Sequence, residues 1–352
     1  MRTLFDRTVF VAGGTVYDWG DVVLAAVRWG RWIDLEGTLR QGLACVAHAE
    51  QTGQEPTPAG LTRATNEFRY ARNLVSAAEA EAWLREWGLT VEAWLGYVSR
   101  ALLRGRWGTE LPDIAARYPI DPETLAPFMK AEAVCSGQLA AFARDLAARA
   151  AVSVGARAGL AAAPPGAGVA APDVGVLEEA RRACPGLAPH AYRSKLARLI
   201  DLDRAFAELG RPAVPPRALR SELSANHLDW IRFDGRGLTF HAEPRAREAA
   251  ACIRDDGRTM AEVGAAARTP LHHASFYLGS LGPEARPHFL GARIGEVIGP
   301  LAWRDGFLVF EVADKRLPSL DDPEVRERAA ERVRHRVIEE QVEAHVSWRV
   351  RL

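Results

Sequence analysis

Residues 345–352, HVSWRVRL, decide the fold: the alternation of Val346, Trp348, Val350 and Leu352 ends the helical spacing that precedes it. Apolar residues at every second position are the pattern of a strand with one buried face. A strand needs a partner, and the candidate lies at the opposite end of the sequence. Residues 8–17, TVFVAGGTVY, are two β-rich runs split by Gly13 and Gly14, a pair that supplies the positive φ angles of a tight hairpin turn. Such a short hairpin has an open edge, so the two ends of the polypeptide are predicted to meet in one small sheet.

Working inward, apolar residues recur at helical spacing from Asp21: Val22, Val23, Ala26 and Val27, then Leu35, Leu39, Leu43 and Val46. Two helices are therefore predicted, and a third follows Pro56 and Pro58 with Leu61, Phe68 and Ala71. Ser76 stands three residues before Glu79, a capping box, and Thr90 caps the next helix. Pro119, Pro122 and Pro127 precede a long helix predicted from Phe128 to Ala151. The stretch 154–173, VGARAGLAAAPPGAGVAAPD, has few large apolar residues and reads as part of a linker. Helices resume from Val176 to Leu209, and Pro215 with Pro216 opens another.

From Asp229 the pattern mixes strands and helices: a strand at 237–241, helices at Glu243–Ile253 and Thr259–Ala267, and strands at 275–279 and 306–312. Asp322 as N-cap and Pro323 as first helical residue start the last helix, with Val325, Ala329, Val333 and Val337 on one face. Glu324 and Arg328 stand at i,i+4 on its charged side. The fold class is α+β, mostly α. The expected domains are a helical module, 1–151, completed by a C-terminal helix and strand at 319–352; a linker, 152–175; a helical connector, 176–228; and an α+β domain, 229–318.

The 352 residues carry 45 Lys plus Arg and 45 Asp plus Glu, a formal charge of zero that argues against a partner bound through phosphates. A helix-turn-helix reading of 259–281 meets the same objection: its surroundings hold Arg254, Arg258, Arg268 and Arg286 against Asp255, Asp256, Glu262 and Glu284. No run has the length of a signal peptide or membrane span, so a cytoplasmic protein without a membrane partner is expected. Cys45, Cys135, Cys184 and Cys252 are scattered without a CxxC, which points to buried small hydrophobes rather than a zinc or disulfide framework. Gly166, Gly168 and Ala171 match a dinucleotide fingerprint, but Pro164, Pro165 and Pro172 deny it the strand and helix it needs. His272 and His273 are adjacent and point apart on either regular element, so no metal site is expected. Seven of the ten tryptophans fall in the first 107 residues. They serve either as helical core or, for Trp29, Trp32, Trp83, Trp87 and Trp94, as the wall of a groove for extended peptide.

The hairpin VFVAGGTVY, the run RNLVSAAEAEAWLREWGLTVEAWLGYVSRALL at 72–103 and the closing HVSWRVRL resemble the chaperone module of SurA-type peptidyl-prolyl isomerases. Residues 235–316 resemble a parvulin domain through TMAEVGAAAR at 259–268, GEVIGPL at 295–301 and GFLVFEVADKR at 306–316; residues 108–225 belong to neither resemblance. The resemblance implies a SurA-like helical module beside a parvulin-like domain. It also implies where a parvulin pocket would lie. The first-strand histidine falls on Gly237, or on Trp230 in an alternative register, and neither is an imidazole. The cysteine or aspartate expected between Thr269 and Tyr277 is absent. The pocket methionine becomes Leu281, the phenylalanine Ala285 and the final-strand histidine Leu308. No catalytic residue and no cofactor carries over. The implied function is a noncatalytic peptide-binding chaperone or scaffold, similar to bacterial parvulin-related proteins of peptide maturation systems. Its expected partners are unfolded or precursor peptides and peptide-modifying enzymes. Two alternatives stand beside it: an active prolyl isomerase using His241, His272, His273 or His288, and a helix-turn-helix nucleic-acid binder.

Overall fold

The C-terminal strand finds its partner in the N-terminal hairpin. In the computed structural model, which describes residues 4–159, 174–183, 189–209, 214–303 and 306–352, β1 (Thr8–Ala12) and β2 (Thr15–Asp18) form the hairpin. Gly13 and Gly14 turn it with φ of 54° and 79°. Helices α1 (Trp19–Arg28), α2 (Arg31–Thr52), α3 (Pro58–Tyr70), α4 (Ala77–Trp87), α5 (Val91–Arg106), α6 (Leu111–Arg117), α7 (Ala126–Cys135), α8 (Gln138–Gly159), α9 (Val174–Ala183) and α10 (Pro189–Leu209) follow. Next come α11 (Pro216–Ala225), β3 (Arg232–Phe240), α12 (Glu243–Arg254), α13 (Met260–Ala267), β4 (His272–Tyr277), α14 (Arg286–Gly291), β5 (Val297–Trp303), β6 (Gly306–Arg316), α15 (Pro323–His345) and β7 (Val346–Trp348). The architecture is α+β and mostly helical. It divides into two units, one of residues 1–212 with 338–352 and one of residues 213–337.

In the first unit the sheet order is β2-β1-β7, antiparallel throughout, with Phe10 opposite Trp348 and Ala12 opposite Val346. The Phe10 ring stacks on Tyr17 at 4.6 Å and meets Trp348 at 5.3 Å. The apolar helix α1 lies at the centre of the unit, buried from Trp19 to Val27. Asp18 and Asp21 close a capping box at its start, and α10 fastens there: Lys195 Nζ is 2.7 Å from Asp18 and 3.1 Å from Asp21, and Arg198 also reaches Asp21. The same helix α10 buries Tyr192, Leu196, Leu199 and Leu202 in the core. Between α5 and α7 the fully buried Glu132 accepts hydrogen bonds from Arg100 and Arg104.

Several expectations are corrected here. The single helix predicted from Phe128 to Ala151 is two, because Gly137 takes a left-handed φ of 78° and breaks it between α7 and α8. The linker predicted from residue 152 is helical as far as Gly159, with Val152 and Ser153 buried. Its small residues are what packing requires, since a Cβ on Gly155 would land on the Gln341 side chain. Residues 160–173, which include most of that linker and the Gly166–Ala171 fingerprint, lie outside the described residues, as does Cys184, and the linker's last two residues, 174 and 175, begin α9. The connector predicted at 176–228 divides: α9 and α10 belong to the first unit and α11 to the second.

The second unit is built on an antiparallel sheet of order β4-β3-β6-β5. Helices α12 and α13 cover one face, packing Ala246, Ala249, Ala250, Met260 and Val263 on Leu238, Phe240 and Val309. Thr259 and Glu262 form the capping box that starts α13. The other face carries Phe233, Leu308, Phe310 and Val312 beneath Leu278, Leu281, Ala285 and Phe289. The strand predicted at 275–279 begins earlier, at His272, and ends at Tyr277. That strand occupies the place where a helix-turn-helix would need its second helix. Trp230, the alternative pocket position, precedes β3 and packs with Val325 and Ala329 of α15. Glu324 bonds to Arg232 and Tyr277, and Arg328 lies over the Tyr277 ring. Glu324 thus pairs with the sheet and Arg328 with an aromatic ring instead of with each other, an exposed i,i+4 pairing being worth only about 0.3–0.5 kcal/mol.

Candidate functional site

A cavity of about 960 Å³ opens in the first unit. Val23 of α1, Trp32 and Glu36 of α2, Met129, Lys130 and Ala133 of α7, and Leu139 of α8 supply most of its wall, with Phe5, Leu125 and the end of α9 completing it. Its size is that of a site for a small ligand or a few peptide side chains, and its wall is mainly apolar. Trp32 and Met129 are largely buried, one rigid and one adaptable, a pairing suited to varied apolar side chains. Two of the four charged residues at the wall are engaged. Lys130 donates to the Gly88 carbonyl at 2.7 Å, and burial pulls its ammonium below the ordinary value. Glu36 pairs with Arg40. Nearby on α9, burial and the Glu36 carboxylate raise the Glu179 carboxyl, Arg182 opposes them, and its buried Oε1 has no hydrogen-bond partner. Among the described residues the lining contains no nucleophile paired with a base.

Of the five tryptophans predicted as groove residues, only Trp32 lines this cavity. Trp29 is committed elsewhere: its Nε1 donates to Asp203 at 3.0 Å and the Arg149 guanidinium lies 3.9 Å over its ring. Trp87 is buried between Trp19 and Trp83, at 5.1 Å and 6.4 Å. Trp83 and Trp94 each meet Phe68 at 5.7 Å. The five therefore divide among three environments. Phe5, Leu125, Met129 and Leu139 were not singled out from the sequence, since an apolar residue lining a cavity has the same spacing as one in a core.

In the second unit the four positions equated with a parvulin pocket converge. Leu281, Ala285 and Leu308 share one buried cluster, and Gly237 of β3 lies beneath it, where a Cβ would be 3.0 Å from Leu308 Cδ1. The space is filled by aromatic rings: Phe276, Phe289 and Phe310 meet at 5.1–5.5 Å, and Trp303 reaches Phe276 at 6.4 Å. Gly235 and Gly237 make room for them, because Phe310 lies against both. A Gly-x-Gly in β3, with Gly237 opposite Phe310 and Gly235 opposite Val312 in β6, is the sequence signal for this filling, with the alternate residues of each strand sharing one face.

His241, His272, His273 and His288 are all exposed, and none joins the buried cluster. His272 and His273 alternate along β4, opposite Gly237 and Arg236 respectively, so they face away from each other. Among the described residues no group of three His, Cys, Asp or Glu is placed to hold a metal ion, and no helix is long and apolar enough to cross a membrane. On the α12–α13 side of the sheet a hollow of about 600 Å³ is lined by Arg236, Arg254 and Arg258. Arg236 pairs with Glu311, and Arg254 donates to the carbonyls of Val297 and Gly299. Compared with known proteins, the chain matches no protein-family model and no curated sequence.

Proposed function

We propose that this chain is a noncatalytic peptide-binding chaperone or scaffold, of the SurA-type and parvulin-related kind, acting on unfolded or precursor peptides in the maturation of ribosomally synthesised peptides. One observation carries the reading: the cavity of about 960 Å³ walled by Trp32, Met129, Leu125 and Leu139, large and apolar enough to take peptide side chains. The aromatic filling over Gly237 supports the noncatalytic part. Prolyl isomerisation has a barrier of about 18–20 kcal/mol. A catalyst must hold the twisted amide in an open, hydrogen-bonding pocket, and each lost contact of about 1.4 kcal/mol costs tenfold in rate. Here the corresponding space is packed with phenylalanine, without a buried imidazole, thiol or carboxylate in the cluster.

The test is a titration of unfolded and precursor peptides into the full chain, followed by tryptophan fluorescence and by suppression of client aggregation. Saturable binding is expected, weakened about tenfold or more by Trp32→Ala, as for an aromatic anchor in a pocket. No saturable change together with no effect on aggregation removes the proposal. A proline-isomerisation assay on a short peptide is expected to show the uncatalysed rate, and acceleration would remove the noncatalytic assignment.

A further inference from the structure

Helix α3 is an unusual member of the first unit, because none of its thirteen residues is buried. An isolated helix of this length is marginal in water. Its hold on the unit centres on Phe68. That half-buried ring sits 5.7 Å from Trp83, 5.7 Å from Trp94 and 6.1 Å from Tyr97, in edge-on or tilted geometries. Four residues on, the Arg72 guanidinium covers the outer face of the ring at 3.7 Å and donates to the Cys135 carbonyl. The remaining side-chain hydrogen bonds of the segment are internal to it among the described residues. Thr57 caps Gly60, Thr62 and Thr65 bond within the helix, and Arg69 clasps the carbonyls of Leu74 and Val75. The segment can therefore leave as a unit, giving up the Phe68 and Arg72 contacts and the half-buried packing of residues such as Leu61 and Ala64, but no fully buried side chain of α3. Beneath it the Trp94 Nε1 is buried without a partner, an unspent donor in an aromatic site.

We infer that α3 is a resident occupant of a second peptide site. Trp83, Trp94 and Tyr97 form a receptor for an aromatic side chain that is followed four residues later by an arginine and presented from a helical segment. Phe68 and Arg72 show the chemistry of the occupant: the ring fills the aromatic receptor and the guanidinium caps it and reaches the Cys135 carbonyl. A client with the same pair competes with α3, whose tether gives it an effective concentration in the millimolar range. The inference rests on the reading that this chain binds peptides, but it places the binding on a surface distinct from the Trp32 cavity.

The probe is a synthetic peptide of residues 57–75, TPAGLTRATNEFRYARNLV, and its copy carrying Phe68→Ala. Full-length Phe68→Ala protein, with its own receptor vacated, is expected to bind the first peptide at least about tenfold more tightly than wild type does, and not to bind the second. In wild type, amides of residues 58–70 are expected to exchange at least about a hundredfold faster than those of α5. Equal affinity of the two proteins for the peptide, or equal protection of α3 and α5, overturns the inference. Should Phe68→Ala lose its near-ultraviolet signature of folding, Arg72→Ala and the wild-type exchange pattern decide. Client binding that falls in Trp32→Ala and is unchanged in Phe68→Ala keeps the cavity reading and removes this one. A gain in Phe68→Ala with no loss in Trp32→Ala does the reverse.

Discussion

Adding one methyl group at each of two neighbouring glycines should have very different costs. A Cβ on Gly235 would land on the Glu311 carbonyl oxygen and 2.5 Å from Phe310 Cζ. Neither neighbour can yield: the carbonyl belongs to the β6 backbone paired with β3, and the Phe310 ring is fully buried against Phe276 and Phe289. Overpacking costs about 1–3 kcal/mol, with more when the clash is with backbone, against a gain of about 0.5–1 kcal/mol from replacing glycine in a strand. Gly235→Ala is therefore expected to destabilise the second unit by about 3 kcal/mol. At Gly237 the nearest atom is Leu308 Cδ1 at 3.0 Å, the end of a flexible side chain, and Phe310 Cδ2 is at an ordinary 3.5 Å. There the two effects nearly cancel, and Gly237→Ala should stay within about 1 kcal/mol of wild type.

Because the chain has two units, a single unfolding midpoint would mix them. The informative measurement is hydrogen exchange of the β3 and β6 amides, which reports the opening free energy of this sheet alone. Equal protection in the two variants, or greater loss in Gly237→Ala, would refute the reasoning. The contrast also bears on function. Gly237→His puts an imidazole back at the position the resemblance gives it, but the ring must displace Leu308 or Phe310, so it should cost more than Gly237→Ala and yield no isomerase activity.

Glu132→Ala leaves Arg100 buried without its carboxylate, and breaking such a pair costs about 3–5 kcal/mol; exchange of α5 and α7 amides measures it, and a loss below about 1 kcal/mol would mean the pair is not desolvated. Burial pushes the Cys135 thiol up to about 12, so native-state alkylation should mark half-exposed Cys252 well before Cys135, as peptide mapping would show; equal labelling contradicts the packing of α7. Burial, then the neighbouring Asp21 carboxylate, hold the Asp18 carboxyl above its ordinary value. The folded state keeps this proton to higher pH than the unfolded chain, so the resulting stability is present below the unfolded value and is lost as pH rises through the folded one. Asp18→Asn retains a capping acceptor and removes the titration. Its stability relative to wild type should thus be highest near neutrality and fall as pH drops through the Asp18 titration, and the opposite slope would count against the burial.

Much of the helical layout was legible because its signals are local. Ser76 with Glu79, and Thr90, declare helix starts through atoms three residues apart, and each cap is present. The pairing of β7 with β1 was legible for a different reason: a short hairpin and a terminal alternating strand each leave an edge that the other can satisfy. What stayed hidden depends on contacts between distant segments. Gly155 is small because α8 must approach the end of α15 closely, and Val154 comes close to Gly13 of the hairpin, as the Gln341 and Val154 side chains make plain. Composition alone cannot distinguish small for flexibility from small for proximity.

The tryptophans carry the same ambiguity to the candidate sites, and there it has a physical resolution. A tryptophan acts as wall or as core according to whether its neighbours are fixed. Trp29 gives its ring N–H to an aspartate and one face to an arginine, so it is committed away from the cavity. Trp32 looks into a cavity whose wall is mainly apolar and includes the adaptable Met129. Trp83 and Trp94 fall between these cases, since the ring that covers them belongs to a helix with no buried residue. Removing a cover costs roughly what its own burial contributes, and α3 contributes half-buried side chains only, Phe68 the largest of them. An exchangeable aromatic surface therefore lies beneath a helix without a fully buried side chain, where a competing side chain has a smaller free energy to overcome than in a core.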